Sequence, residues 1–159
     1  DDPHHPSVFE LLDLPNRDTL QVAGRLDRDT TGLLLLTDDG AWNHRVTAPR
    51  HKQPKTYRVT LSAPLSPAGE RRLAEGVELR GEQHPTRPAG VQRLADGTLR
   101  LTIEEGRYHQ VRRMLAAVGS GVAALHRERI GPIALDPELE AGEARWLRPE
   151  ELAAMDAEA

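Results

Sequence analysis

The residues best suited to chemistry stand together in one short segment, residues 24–32, which reads GRLDRDTTG. Its two arginines and two aspartates directly precede an apolar run at residues 33–36. Because charges beside a buried segment need partners, we expect Asp27 at the lip of a sheet and partly desolvated. Asp27 and Asp29 could form the carboxylate pair of a glycoside hydrolase, but two carboxylates so close in sequence need not face one cleft. The plain alternative is a solvated, charged turn.

The composition indicates one folded domain without thiol chemistry. The chain has 159 residues, enough to bury a core, and no cysteine, which excludes disulfides, thiol catalysis and thiolate metal sites. Its 21 basic and 25 acidic side chains give a net charge of −4. No apolar run approaches the length of a membrane span, and the first residues lack the features of a signal peptide. We therefore expect a cytoplasmic protein.

The charge is unevenly distributed along the chain. Residues 136–159 carry a net −6, so residues 1–135 carry +2. All basic residues except Lys52 and Lys55 are arginine. Arginine suits bidentate phosphate contacts and stacking on bases, although GC-rich coding produces the same bias.

Two segments alternate between apolar and polar residues, which is the pattern of half-buried strands. Their apolar positions are Tyr57, Val59 and Leu61 in one, and Leu99, Leu101 and Ile103 in the other. The continuous apolar run at residues 33–37 instead predicts a strand buried on both faces, ending at a turn over residues 38–40.

Two helices are clearly indicated. One begins at Ser66 as N-cap with Pro67 in the first helical position and ends at Gly76. The other covers residues 111–118, with Gly119 as its C-terminal cap. Shorter helices are expected at residues 7–12 and 149–155. Because strands and helices are interspersed without strict alternation, we expect an α+β fold with a mixed, largely antiparallel sheet flanked by helices.

Four segments together resemble the RsuA-type pseudouridine synthase family. They are residues 24–40 (GRLDRDTTGLLLLTDDG), 54–57 (PKTY), 104–114 (EEGRYHQVRRM) and 125–131 (LHRERIG), in the family's order and spacing. Segments 42–45, 48–52 and 108–110 look most like the family's enzyme for small-subunit (16S) ribosomal RNA. The resemblance implies a pseudouridine synthase catalytic fold and conversion of a specific uridine to pseudouridine.

The same resemblance implies the site residues. Asp27 would be the catalytic aspartate, Tyr57 the active-site tyrosine, and Arg112 the basic residue paired with the aspartate. Arg25 would enter the RNA helix beside the extruded nucleotide, and Leu125 would pack against the uracil. The reaction detaches uracil at N1 and rejoins it at C5 with no atom gained or lost, so neither a redox cofactor nor a metal is expected.

Further basic residues are candidates for contacts with RNA phosphates. A local cluster contains Arg45, Arg50, Lys52 and Lys55, and Arg107 lies in the third motif. Charge clusters are often only solvated faces. With the resemblance, a phosphate-contacting loop that positions ribosomal RNA becomes the better interpretation.

Several alternatives stay open from the sequence. The target could lie in large-subunit ribosomal RNA, or the chain could be a non-catalytic RNA-binding module for ribosome assembly. We expect a monomer. Members of the family usually begin with an S4-like RNA-binding domain and a further strand, so we interpret residues 1–159 as the catalytic domain without these parts. A missing strand would expose a sheet edge.

Overall fold

The computed structural model describes residues 17–48 and 53–158. After a 3₁₀ turn at Arg17–Thr19, the strands are β1 (Gln21–Val22), β2 (Thr30–Gly32), β3 (Leu36–Thr37), β4 (Lys55–Ala63), β5 (Gly90–Arg93), β6 (Thr98–Ile103), β7 (Gly121–Ile130) and β8 (Ile133–Ala134). The helices are α1 (Gly40–Thr47), α2 (Pro67–Glu75), α3 (Gln110–Ala117) and α4 (Pro149–Glu158). The helix expected at residues 7–12 lies outside the described residues, as do Arg50 and Lys52.

One mixed sheet organises the described chain. Its strand order is β2-β7-β4-β6-β5, with β8 paired to β7, and β1 and β3 form a separate ribbon. The β2–β7 pair is parallel, whereas β4, β5, β6, β7 and β8 pair antiparallel. The expected α+β class with a largely antiparallel sheet is therefore confirmed.

The main core lies on one face of this sheet. Val59 of β4 pairs with Leu99 of β6, Tyr57 with Leu101 and Lys55 with Ile103. Because side chains alternate along a strand, these pairs share the face that α2 and α3 cover through Leu73 and Met114, which are fully buried. Toward Lys55 this apolar face becomes polar.

Both clearly indicated helices form as expected. The Ser66 side chain accepts a hydrogen bond from the Gly69 amide, Pro67 opens α2, and Gly76 is its C-cap. In α3 the residues Val111, Met114 and Leu115 are buried in the main core. The expected C-terminal helix also forms, but it extends to Glu158 rather than residue 155.

The prediction of one buried strand at residues 33–37 is wrong. The chain leaves the large sheet after Gly32, where φ is +112°, and pairs with β1 only from Leu36. Leu33 and Leu35 are buried in a second core with Trp42 of α1 and Met155 of α4. Sequence reasoning also left out α1 and the interior strand β7.

Arginine side chains of the acidic C-terminal segment pair with some of its own carboxylates. Arg145 forms ion pairs of 3.0 Å with Asp136 and 2.8 Å with Glu151. The hydrogen bond from Arg145 and one from the Arg148 amide lower the pKa of Glu151 to about 2. These contacts fasten α4, whose Met155 closes the second core.

Gly32 carries the tightest backbone contact between β2 and β7, and this contact predicts the effect of a substitution. A Cβ atom there would lie 2.1 Å from the carbonyl oxygen of Arg127. We expect Gly32→Ala to lower the free energy of unfolding by at least ~3 kcal/mol, because it adds a backbone clash to the strain of a positive φ. Chemical denaturation measures this loss.

Gly97→Ala is the matched control. Gly97 also has a positive φ, +71°, but a Cβ atom added there would meet open space, with no atom beyond its chain neighbours within 4 Å. Only strain applies there, so a loss of about 1 kcal/mol is expected. Equal losses at the two positions would show that the β2–β7 contact imposes no extra constraint.

Candidate active site

One open cleft collects most of the sequence-predicted site residues. It has a volume of about 910 Å³ and lies between the segment of residues 23–29 (the site loop), the ends of β4 and β7, and the start of α3. Asp27, Tyr57, Arg112, Leu125 and Arg25 all line it. Residues far apart in sequence therefore meet here, as expected for a site.

The backbone of the site loop is held at both ends. The Ala23 amide donates to the Leu35 carbonyl at 2.8 Å, and the Leu33 amide donates to the Arg127 carbonyl at 2.8 Å. Between them, the Thr30 amide donates to the Asp27 carbonyl at 2.9 Å and closes a turn. The position of Asp27 is thus fixed through its main chain.

Arg127 of β7 holds the backbone of the site loop through hydrogen bonds. Its side chain is only 2% exposed, and its guanidinium donates to the carbonyls of Leu33 (Nε, 3.0 Å) and Arg25 (Nη1, 2.9 Å). Its Nη2 is buried without a hydrogen-bond partner. Sequence reasoning gave this residue no role, although it stands two positions after Leu125, a spacing that places both on one face of a strand.

The side chain of Asp27 is loosely held. It is 41% exposed, and its nearest ion-pair partner in the described chain is His109, with Nε2 at 3.9 Å from Oδ2. His109 has a left-handed backbone (φ 47°) immediately before α3, and its ring stacks on Tyr108 with centroids 3.9 Å apart. The carboxylate therefore faces the cleft with most of its hydrogen-bonding capacity unused.

In the structure Arg112 pairs with Asp29 and not, as expected, with Asp27. Arg112 Nη2 lies 3.6 Å from the carboxylate of Asp29 and 3.4 Å from the Asp29 carbonyl. Asp29 stands at the outer end of the site loop and is 73% exposed, so the guanidinium reaches the rim of the loop. Arg112 still lines the cleft, and its Nε is buried without a partner.

The floor of the cleft combines apolar and cationic groups. Tyr57 of β4 lies directly opposite Arg127 of β7, and Leu125 lies opposite Val59. Lys55 stands two residues before Tyr57 on the same strand face and also lines the cleft. Burial, and then the charge of Arg127, lower the pKa of Lys55 below its usual value of 10.5.

The remaining predicted RNA contacts have different surroundings. Arg45 is exposed and lies 3.4 Å from Asp156 of α4. Arg107 is already saturated: its three nitrogens donate to Glu105, Glu82 and the carbonyls of His84 and Pro85. Its guanidinium therefore organises the loop before α3, and RNA could use it only by breaking these bonds. Lys55 belongs to the cleft floor rather than to an exposed loop.

Within residues 17–48 and 53–158 no cluster of three or more His, Asp or Glu side chains could hold a metal ion. No helix of the described chain is long and apolar enough to cross a membrane.

Comparison with known proteins identifies the family. Residues 1–117 match the RNA pseudouridylate synthase family. The chain belongs to this family. It is 55% identical over 157 residues to the ribosomal small subunit pseudouridine synthase A of Yersinia pestis, and 54% identical over 155 residues to that of Escherichia coli K12. The two alignments cover 99% and 98% of this chain and 67% of each relative.

A solved structure described as a pseudouridylate synthase has the same fold. It superposes with a TM-score of 0.90 at 51% identity, covering 94% of this chain and 65% of that one. The chain thus spans about two thirds of the length of these pseudouridine synthases. The cleft described above is the candidate active site of a pseudouridine synthase.

The contacts of Arg127 predict a strong effect on folding. Arg127→Met would leave the buried Leu33 carbonyl and the partly buried Arg25 carbonyl without their donor, so we expect the free energy of unfolding to fall by about 2–4 kcal/mol. Arg129→Met is the control, because this arginine on the same strand is exposed and donates only to nearby turn carbonyls. Its loss should stay within about 1 kcal/mol. If denaturation shows similar losses in the free energy of unfolding for both variants, Arg127 does not hold the loop.

Proposed function

We propose that this pseudouridine synthase converts a specific uridine of small-subunit ribosomal RNA to pseudouridine, with Asp27 as its catalytic residue. The observation that carries the proposal is the meeting of Asp27, Tyr57 and Leu125 in one cleft. The small-subunit target is supported by the 55% and 54% identical relatives that are named for it. A ribosomal RNA substrate also favours a cytoplasmic location, and we expect the protein to act as a monomer.

Asp27 is suited to the first chemical step. The C1′–N1 bond of uridine must break, and a carboxylate beside C1′ can stabilise developing positive charge, attack C1′, or remove the 2′ proton. The backbone of Asp27 is fixed, while His109 is the one ion-pair neighbour of its carboxylate among the described residues. Such a group is positioned without being neutralised, which each of the three routes requires.

The other cleft residues are suited to holding the nucleotide. In the proposal the uracil lies between Tyr57 and Leu125, where it can turn after detachment, because a base inside a helical stack cannot rotate. Arg25 is exposed at the rim, where a guanidinium can stack on the opened RNA. Arg112 positions the outer end of the site loop through Asp29.

Binding of RNA is supported by the charge of the cleft. Lys55, Arg112 and Arg127 line it, while the acids nearby other than Asp27 are engaged by arginines. Glu105, for example, accepts bonds from Arg107, Gln110 and the Arg87 amide, which lower its pKa. This excess of positive charge suits an anionic ligand such as RNA.

The proposal predicts that Asp27→Asn abolishes pseudouridine formation. Asparagine has the same shape but no negative charge, and Asp27 is 41% exposed, so the melting temperature should change by only a few degrees. The assay is chemical mapping of pseudouridine in small-subunit and large-subunit ribosomal RNA incubated with each protein.

Asp29→Asn is the matched control within the same loop. It removes the same charge at a position where the carboxylate is 73% exposed, and it should retain most of the activity because such ion pairs contribute little. Activity in Asp27→Asn would refute its catalytic role. Modification by the wild-type protein only in large-subunit RNA would refute the proposed target.

A further inference from the structure

Lys55 is a half-buried cation without a counter-ion in the described chain. No carboxylate of the described chain lies within ion-pair distance of its Nζ, and no hydrogen bond from it is formed there. Its Nζ lies 4.0 Å from the Cβ position of Gly106, where no side chain intervenes. A lysine in such a place costs stability, because burial and a like charge both disfavour its protonated form.

The neighbouring residues add to this positive charge. Arg127 is 2% exposed and its charge contributes to lowering the pKa of Lys55, and its Nη2 is buried without a partner. Two cations therefore lie in the cleft floor, while Glu105 is bound to Arg107 and the Asp27 carboxylate has His109 as its ion-pair neighbour at 3.9 Å. Neither cation has an acidic partner within the described chain, so an anionic group that enters the cleft would be their counter-ion.

The position of Lys55 indicates which anion. Lys55 and Tyr57 share one face of β4, and their Cα atoms are about 7 Å apart along the strand. A uracil stacked on Tyr57 would thus bring a ring edge to Lys55. A backbone phosphate would be expected at the exposed rim, beside Arg25, rather than in the floor.

We propose that Lys55 is a further catalytic residue, which stabilises the uracil anion by contact with a ring carbonyl oxygen. The inference rests on the proposed function. When the C1′–N1 bond breaks, its electron pair stays on uracil and the charge spreads to O2 and O4. After the ring turns, C5 donates a pair to C1′, the C5 proton is lost, and N1 takes up a proton. Lys55 transfers no proton in this scheme.

This role does not depend on how Asp27 acts. Whether the aspartate attacks C1′, stabilises it or removes the 2′ proton, uracil leaves with the pair. A fixed cation in a partly desolvated site acts strongly on charge that develops in the transition state, and removing one such group typically costs about 100-fold or more in rate.

The test uses Lys55→Met with the whole chain and small-subunit ribosomal RNA labelled with tritium at C5 of uridine. Single-turnover tritium release at saturating enzyme reports the chemical steps, and filter binding at several salt concentrations reports affinity. We expect the Lys55→Met rate to fall by about 100-fold, with an unchanged Kd and salt slope. Its melting temperature should be equal or higher, because an unpaired, half-buried charge has been removed. Lys55→Arg should recover about tenfold, since the positive charge returns.

Arg58→Met is the matched control. Arg58 lies on the same strand but is exposed on the opposite face, so losing its charge should leave the rate unchanged. An unaltered rate in Lys55→Met would overturn the assignment. A higher Kd for Lys55→Met, with a salt slope reduced by about one, would also overturn it, because that result indicates a phosphate contact.

A structural role has its own signature. If Lys55→Met and Lys55→Gln both lower the melting temperature in proportion to their loss of rate, and Lys55→Arg restores both together, Lys55 is structural and the inference is wrong. The wild-type protein separates the two proposals. Absence of tritium release from wild-type protein refutes the proposed function itself, whereas normal wild-type release with an active Lys55→Met variant refutes only the role of Lys55.

Discussion

The buried guanidinium of Arg127 is the interaction on which the site depends. A charge removed from water is costly unless hydrogen bonds compensate for it, and here the carbonyls of Arg25 and Leu33 do so. Both carbonyls flank the part of the chain that carries Asp27. The strand β7 can approach them so closely because Gly32 has no Cβ where its chain meets the Arg127 backbone. The packing of β2 against β7, the path of the site loop and the position of Asp27 therefore all depend on the contacts of Arg127.

This arrangement leaves the cleft cationic in an acidic protein. The net charge is −4, but acids such as Glu105, Asp136 and Glu151 form bonds with arginines away from the cleft floor. Lys55 and Arg127 have no such partners within the described chain. The overall charge therefore gives no guide to the ligand, whereas the placement of paired and unpaired charges favours a ligand that brings negative charge into the cleft.

The parts of the fold that could be predicted from sequence are those with a local physical signal. Alternation identifies β4 and β6, and capping residues locate α2. The strand β7 has no such signal, because Arg127 is buried while His126 and Glu128 face the open side, which disguises the alternation. The prediction of a strand at residues 33–37 fails because the chain changes direction at Gly32. That turn depends on a contact with a strand distant in sequence. The pairing of Arg112 with Asp29 rather than Asp27 likewise depends on how α3 meets the site loop.

The two acidic residues of the site loop illustrate how the fold separates similar groups. Asp29 faces solvent at the rim and has Arg112 as its partner, whereas Asp27 faces the cleft with His109 at 3.9 Å. Binding an aspartate tightly to an arginine would use the lone pairs that a reacting sugar needs, and leaving its main chain free would let it drift from C1′. Holding the backbone through Arg127 while leaving the carboxylate open satisfies both demands. The cost of that solution is an arginine with one nitrogen unpaired in the interior, which a purely structural loop would have no reason to retain.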